Sequence, residues 1–205
     1  MHRSTKLWAK FLPFVLLALL ANPAAAHHAM GSTLPTQWWQ GLLSGFAHPI
    51  IGLDHLLFVI AIGLVSIKPL RGVFIPAFFV IAALIGTGLH LQQVDLPLSE
   101  SVIALSVVAI GFILAIGHQA RFAVLAGLAA IAGLFHGYAY GESIIGAGMT
   151  PLIWYLIGFS AIQFAIALIV HRIGTISADR FLKFERFYGI AACAIGAFFF
   201  AQSLS

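Results

Sequence analysis

The sequence predicts an all-α polytopic membrane protein: a six-helix transmembrane bundle behind a cleaved signal peptide. Three observations predict it. Of 205 residues only 8% are charged while 61% are hydrophobic. The chain opens on a basic, then apolar, then Ala-rich segment. Apolar stretches of membrane-crossing length then recur to the C-terminus. A soluble domain carries about 25% charged residues. The polar surface here is too small to cover a water-soluble globule, and lipid is the solvent that suits such a chain.

The first element is the leader. Arg3, Lys6 and Lys10 precede the run FLPFVLLALLA, and NPAAA follows up to Ala26. A basic start, a short apolar run and an Ala-x-Ala end are the marks of a secretory signal peptide. Cleavage after Ala26 removes residues 1–26 and leaves His27 at the new N-terminus. The competing reading is an uncleaved first span, but the run falls short of the about 20 residues a span needs. Residues 27–205 then form a single six-helix transmembrane domain, since no linker is long enough to hold a soluble one. Without the three leading basic residues the chain has seven Lys/Arg against six Asp/Glu, a balance that offers nothing to nucleic acid. A single cysteine, Cys193, excludes an intramolecular disulfide and disfavours a thiolate metal site.

The six apolar segments run roughly over 41–66, 73–91, 100–117, 122–141, 151–171 and 186–204, separated by KPLRG, QQVDLP, HQAR, GESIIGAGMTP and HRIGTISADRFLKFER. They are read as helices because an isolated strand cannot satisfy its backbone in lipid. Charge supports the count. With the N-terminus exported, the first, third and fifth loops and their flanks face the cytoplasm. They hold Lys68, Arg71, Arg121, Arg172, Arg180, Lys183 and Arg186, every basic residue after the leader. Asp95, Glu100 and Glu142 lie in or beside the outside loops. This is the positive-inside pattern. It places the protein in a bacterial inner (cytoplasmic) membrane with a periplasmic mature N-terminus. Trp38, Trp39, Trp154 and Tyr155 read as interfacial anchors.

Ionisable groups at membrane depth are costly and are functional candidates by default. They concentrate in two segments. HPIIGLDH holds His48, Asp54 and His55, and FHGYAYGES holds His136 and Glu142. On a straight helix His48 and His55 share a face with Cα atoms about 10 Å apart, while Asp54 points elsewhere. Pro49 and Gly52 lie between them, so the helix is expected to kink or unwind and turn these groups together. Broken helices mark ion sites in transporters. In the fourth segment Gly133, Gly137 and Gly141 form a stripe for close helix approach. Aligning His136 with His48 also aligns Gly133 with Gly45 and Glu142 with Asp54, which hints at two inverted three-helix halves. His90, His118 and His171, near helix ends, read as helix–helix hydrogen-bonding groups.

Three imidazoles and two carboxylates suit a borderline divalent ion such as Ni(II), Co(II) or Zn(II). The ligands must be deprotonated, so binding should weaken as pH falls. His27 and His28 at the new N-terminus could gather metal outside the membrane.

At these residues the chain resembles the HupE/UreJ family of nickel and cobalt permeases. The family's His-x5-Asp-His signature is matched by His48, Asp54 and His55. Its Phe-His-Gly-x-Ala-x-Gly-x-Glu signature is matched up to Gly141, after which the acid follows directly, at Glu142 instead of 143. The resemblance implies an uptake permease for Ni2+ or Co2+, with His48, Asp54, His55, His136 and Glu142 serving transport. The metal is then a transported ion, with no prosthetic group and no enzymatic reaction. Its partners are the metal ion and the bilayer, with no nucleic acid; the sequence assigns no oligomeric state. Two rival readings are an intramembrane zinc hydrolase, which the missing His-Glu-x-x-His string disfavours, and a metal sensor or assembly partner that transports nothing.

Overall fold

The computed structural model describes residues 34–117, 120–176 and 178–204. The leader (1–26), His27, His28 and His118 lie outside the described residues. Those that are described form seven α-helices and one short 3-10 turn, with no strand among them. The helices are α1 (Trp38–Ile51), α2 (Leu53–Val65), α3 (Ile75–Leu91), α4 (Ser99–Ile116), α5 (Phe122–Glu142), α6 (Met149–Ile176) and α7 (Ala178–Gln202); the turn is Gly72–Phe74. Five stretches are long and apolar enough to cross a membrane, and α1 with α2 forms a further pair bent by 81°. Outward-facing side chains such as Ile81, Ile85, Phe112, Ile131 and Ile169 are more than half exposed, as expected of a surface that meets lipid.

The first predicted helix is broken at the expected place. Pro49 sits inside α1 and cannot donate to the preceding turn. Three residues on, Gly52 is extended and α2 starts afresh. Gly52 has φ −68° and ψ 105°, angles that any residue can adopt, so backbone freedom is not its contribution. A Cβ there would stand 3.3 Å from the His55 ring, so the glycine makes room for that ring.

Beyond the break, α2 is buried on every side: Leu57, Phe58, Val59, Ala61, Ile62, Leu64 and Val65 are all core residues. A helix apolar all round belongs in the centre of a bundle. Around it the other helices pack as three intimate pairs, α1 with α6, α3 with α5 and α4 with α7.

Glycines set these pairs, and their contacts repeat. Gly41 meets the Pro151 carbonyl as Gly133 meets that of Phe79. Gly45 meets the Tyr155 carbonyl as Gly137 meets that of Ala83. Gly158 meets the Leu42 carbonyl and Phe46 amide as Gly86 meets those of Leu134 and Tyr138. The α4–α7 pair maps onto itself, because Gly111 meets the Gly189 carbonyl and Cys193 amide while Gly189 meets the Gly111 carbonyl and Ala115 amide. An approximate two-fold therefore exchanges α1 with α5, α6 with α3 and α4 with α7. The repeat hinted at by the sequence is present, but its register is corrected by one helical turn. Gly41 and Gly45 correspond to Gly133 and Gly137, so His48 corresponds to Tyr140, not to His136. Backbone approach at the glycines fixes the register, whatever the polar residues do.

Two helices run beyond their sequence limits. α6 continues through HRIGTI, and α7 begins eight residues before the predicted segment, at Ala178.

Candidate metal site

The break between α1 and α2 turns the start of α2 toward α1 and α5. His55 is buried at 4% exposure, His48 at 2% and His136 at 0%. The His48 and His55 rings stack with centroids 5.7 Å apart, and the His55 and His136 centroids are 4.9 Å apart. Two imidazoles bound to one ion at about 2.1 Å have ring centres roughly 4.5–5 Å apart. Asp54 Oδ1 lies 3.0 Å from His55 Nδ1 and accepts the His55 backbone N–H at 2.9 Å. That bond satisfies one of the amides that the first turn of a helix leaves open.

Hydrogen bonding fixes the tautomer of two of the rings, His136 and His48. Ser106 Oγ donates its one proton to the Ile103 carbonyl at 2.6 Å, so its 3.0 Å contact with His136 Nε2 is one in which the imidazole donates. The proton of neutral His136 is then on Nε2, and Nδ1 carries a lone pair. That Nδ1 is buried with no hydrogen-bond partner. At His48 the partner is Tyr155, whose hydroxyl donates to the Tyr140 carbonyl at 2.9 Å and stands 3.3 Å from His48 Nδ1. With the Tyr155 proton committed, His48 donates from Nδ1. His55 Nδ1 is buried without a hydrogen bond and lies 3.0 Å from the Asp54 carboxylate. An imidazole pinned at one nitrogen and bare at the other, as His136 is, has the posture of a metal ligand.

Aromatic rings enclose the group. Tyr140 lies edge-on to His48 at 4.9 Å and to His55 at 4.7 Å, and Phe58 packs on His136 at 4.6 Å. His48 and Tyr140, equivalent positions under the two-fold, touch each other, so the cluster sits at the axis between the two halves. Ion sites of transporters built from repeats lie at such an interface.

The structure thus brings together His48, Asp54, His55 and His136. Glu142 lies at the end of α5 and is exposed. Among the described residues no group of three or more His, Cys, Asp or Glu side chains is placed to hold a metal ion as the side chains stand. His171 bonds Ser66 Oγ at 2.8 Å, the helix-tying role expected of it, and His90 packs edge-on against Tyr138. Trp38 and Trp154 are exposed and in ring contact at 5.3 Å, as suits anchors at one level. Tyr155 is no anchor: it is fully buried and holds His48.

Sequence reasoning missed Ser106, Tyr140 and Tyr155. Tyr140 had a signal, because it lies four residues after His136 and so shares its face. Ser106 had none, since its partner is thirty positions away. Tyr155→Phe and Ser106→Ala are expected to weaken nickel binding by about 10–100-fold, as losses of supporting hydrogen bonds do. Calorimetric titration of the purified variants measures it, and unchanged affinity would remove these residues from the site.

The family model described as HupE / UreJ protein matches residues 15–199. "Protein HupE" of Rhizobium leguminosarum bv. viciae is 34% identical over 160 residues, covering 77% of this chain and 78% of that protein. No solved structure matches. A family match over nearly the whole chain and a relative of this identity lead to one conclusion: the chain belongs to the HupE/UreJ family.

Proposed function

We propose that the protein is an inner-membrane uptake permease for a divalent transition-metal ion, nickel or cobalt. In this reading the bent α1–α2 pair is one span, six spans cross the membrane, and the mature N-terminus is periplasmic. The ion is captured from outside, partly dehydrated by His48, Asp54, His55 and His136, and released inward. The two halves of the chain then have inverted topology, since two spans lie between equivalent helices. Inward movement of two charges is favoured by about 4–5 kcal/mol per 100 mV.

The observation that carries this reading is the buried imidazole group beside one carboxylate at a helix break. His136 Nδ1 is buried without a hydrogen bond, and His55 Nδ1 faces the Asp54 carboxylate at 3.0 Å. Packing favours transport over hydrolysis, because Tyr140, Phe58 and Phe79 rings lie directly against the histidines where an acyl chain would have to enter.

The test is uptake of radiolabelled nickel by vesicles reconstituted with the purified protein, in competition with cobalt. Uptake is expected to fall as the outside pH is lowered. The sign follows from the ligands: protonated imidazole has no lone pair, so acid competes with metal. Vesicles that bind nickel and release none inside would favour a sensor instead, and a pH-independent rate between 5 and 8 would argue against imidazole ligation.

A further inference from the structure

The central helix joins two polar places. Its first turn carries Asp54 and His55. Its far end, roughly 20 Å away over thirteen residues, leads into Lys68. There Lys68 Nζ lies 2.8 Å from Glu185 Oε2, with side-chain exposures of 19% and 5%. A buried ion pair contributes little to stability compared with well-packed apolar residues, so stability alone does not explain this one. It borders a cavity of about 10 Å³, room for a single water, lined by Val65, Lys68, Ile113, Leu114, Leu125 and Glu185. One turn along α7, on the face of Glu185, Tyr188 donates to the Leu57 carbonyl of α2 at 2.6 Å. α7 therefore grips the central helix both near the histidines and beyond its far end.

We propose that Lys68 and Glu185 form the release gate of the permease. Glu185 is the carboxylate that receives the departing divalent ion, and Lys68 is the plug that the ion displaces. This rests on the transport reading above. At rest the pair is neutral, and the lysine charge holds the one-water cavity against cations. An arriving divalent ion attracts the carboxylate about twice as strongly as the ammonium at equal distance. Lys68 can yield because it sits on the loop after α2, on a flexible side chain that is already 19% exposed. Glu185 cannot follow it, being fixed on α7.

Two measurements on the full-length protein test this. In equilibrium dialysis with nickel, Lys68→Gln is expected to bind one equivalent more than wild type, and the added equivalent should vanish in the Lys68→Gln/Glu185→Gln double variant. In vesicles, Glu185→Gln is expected to keep wild-type nickel affinity at the histidines while its uptake rate drops at least tenfold. The swapped pair Lys68→Glu/Glu185→Lys retains an ion pair and hence the fold, and is expected to transport as slowly. Uptake by the swapped protein within twofold of wild type would reduce the pair to a structural tie and overturn the gate, as would Lys68→Gln without an added equivalent. If wild-type vesicles move no nickel while Lys68→Gln still gains its equivalent, the permease reading falls and the cation site at Glu185 stands.

Discussion

His55→Ala is expected to abolish nickel and cobalt uptake while leaving folded protein in the membrane. His55 stands between the other two imidazoles, stacked on His48 and 4.9 Å from His136, and it is the neighbour that Asp54 faces. Removing it separates the remaining donors. The loss should exceed the about 10–100-fold typical of supporting residues, since a ligand itself is gone. Folding should survive, because the side chain makes no hydrogen bond through Nδ1 that the fold would lose. Asp54→Ala is expected to act alike. Asp54→Asn separates charge from shape: an amide oxygen can still accept the His55 N–H, so the turn persists while the anionic donor is lost. Uptake of radiolabelled nickel, normalised to membrane protein with a native chromatographic profile, reads all three. Normal uptake in His55→Ala and Asp54→Ala would remove both residues from the site.

The second large effect is expected from adding one methyl group. Gly137→Ala should leave little folded protein, because a Cβ there would collide with the Ala83 carbonyl and meet its Cα at 2.4 Å. Both obstacles are backbone, so no side chain can rotate away, and α3 and α5 would have to separate. That pair carries His136 on its inner face, so the site would be lost with the packing. Gly127→Ala is the matched control on the same helix, with nothing within 4 Å of the added carbon. At an open helical position Ala is favoured over Gly by roughly 0.5–1 kcal/mol, so the control should match or exceed wild-type stability. Thermal unfolding in detergent compares them. Equal midpoints for the two variants would mean that the α3–α5 contact is looser than described.

Much of this was legible because lipid leaves few options. Apolar runs and turn signals located the helices, and HPIIG announced a break because proline cannot continue a helical ladder. The 81° angle was not legible, since it is set by what α2 packs against on all sides. The polar start of α7 escaped because ADRFLKFER is charged yet contains good helix formers, and an apolar window does not register such a helix. Tyr155 was misread because an aromatic pair at a helix start resembles an interfacial belt. Its burial depends on Gly45 letting α1 approach the Tyr155 carbonyl, a contact between distant segments. The repeat was visible in its glycines but aligned on its histidines, and polar groups placed for chemistry need not obey the two-fold. Of the site, the four clustered residues stood out as ionisable groups in apolar sequence. The hydroxyls that set their tautomers did not, because serine and tyrosine are ordinary in membrane helices.

In the permease proposed above, imidazoles of His48, His55 and His136, with Asp54, surround one divalent ion at the junction of the two halves. X-ray absorption spectroscopy of the nickel-loaded protein tests it most directly. The expected spectrum shows nitrogen and oxygen neighbours only, with outer-shell scattering from more than one imidazole that declines in His136→Ala. Sulfur from Cys193 in the first coordination sphere, or an imidazole signal unchanged by that substitution, would contradict it.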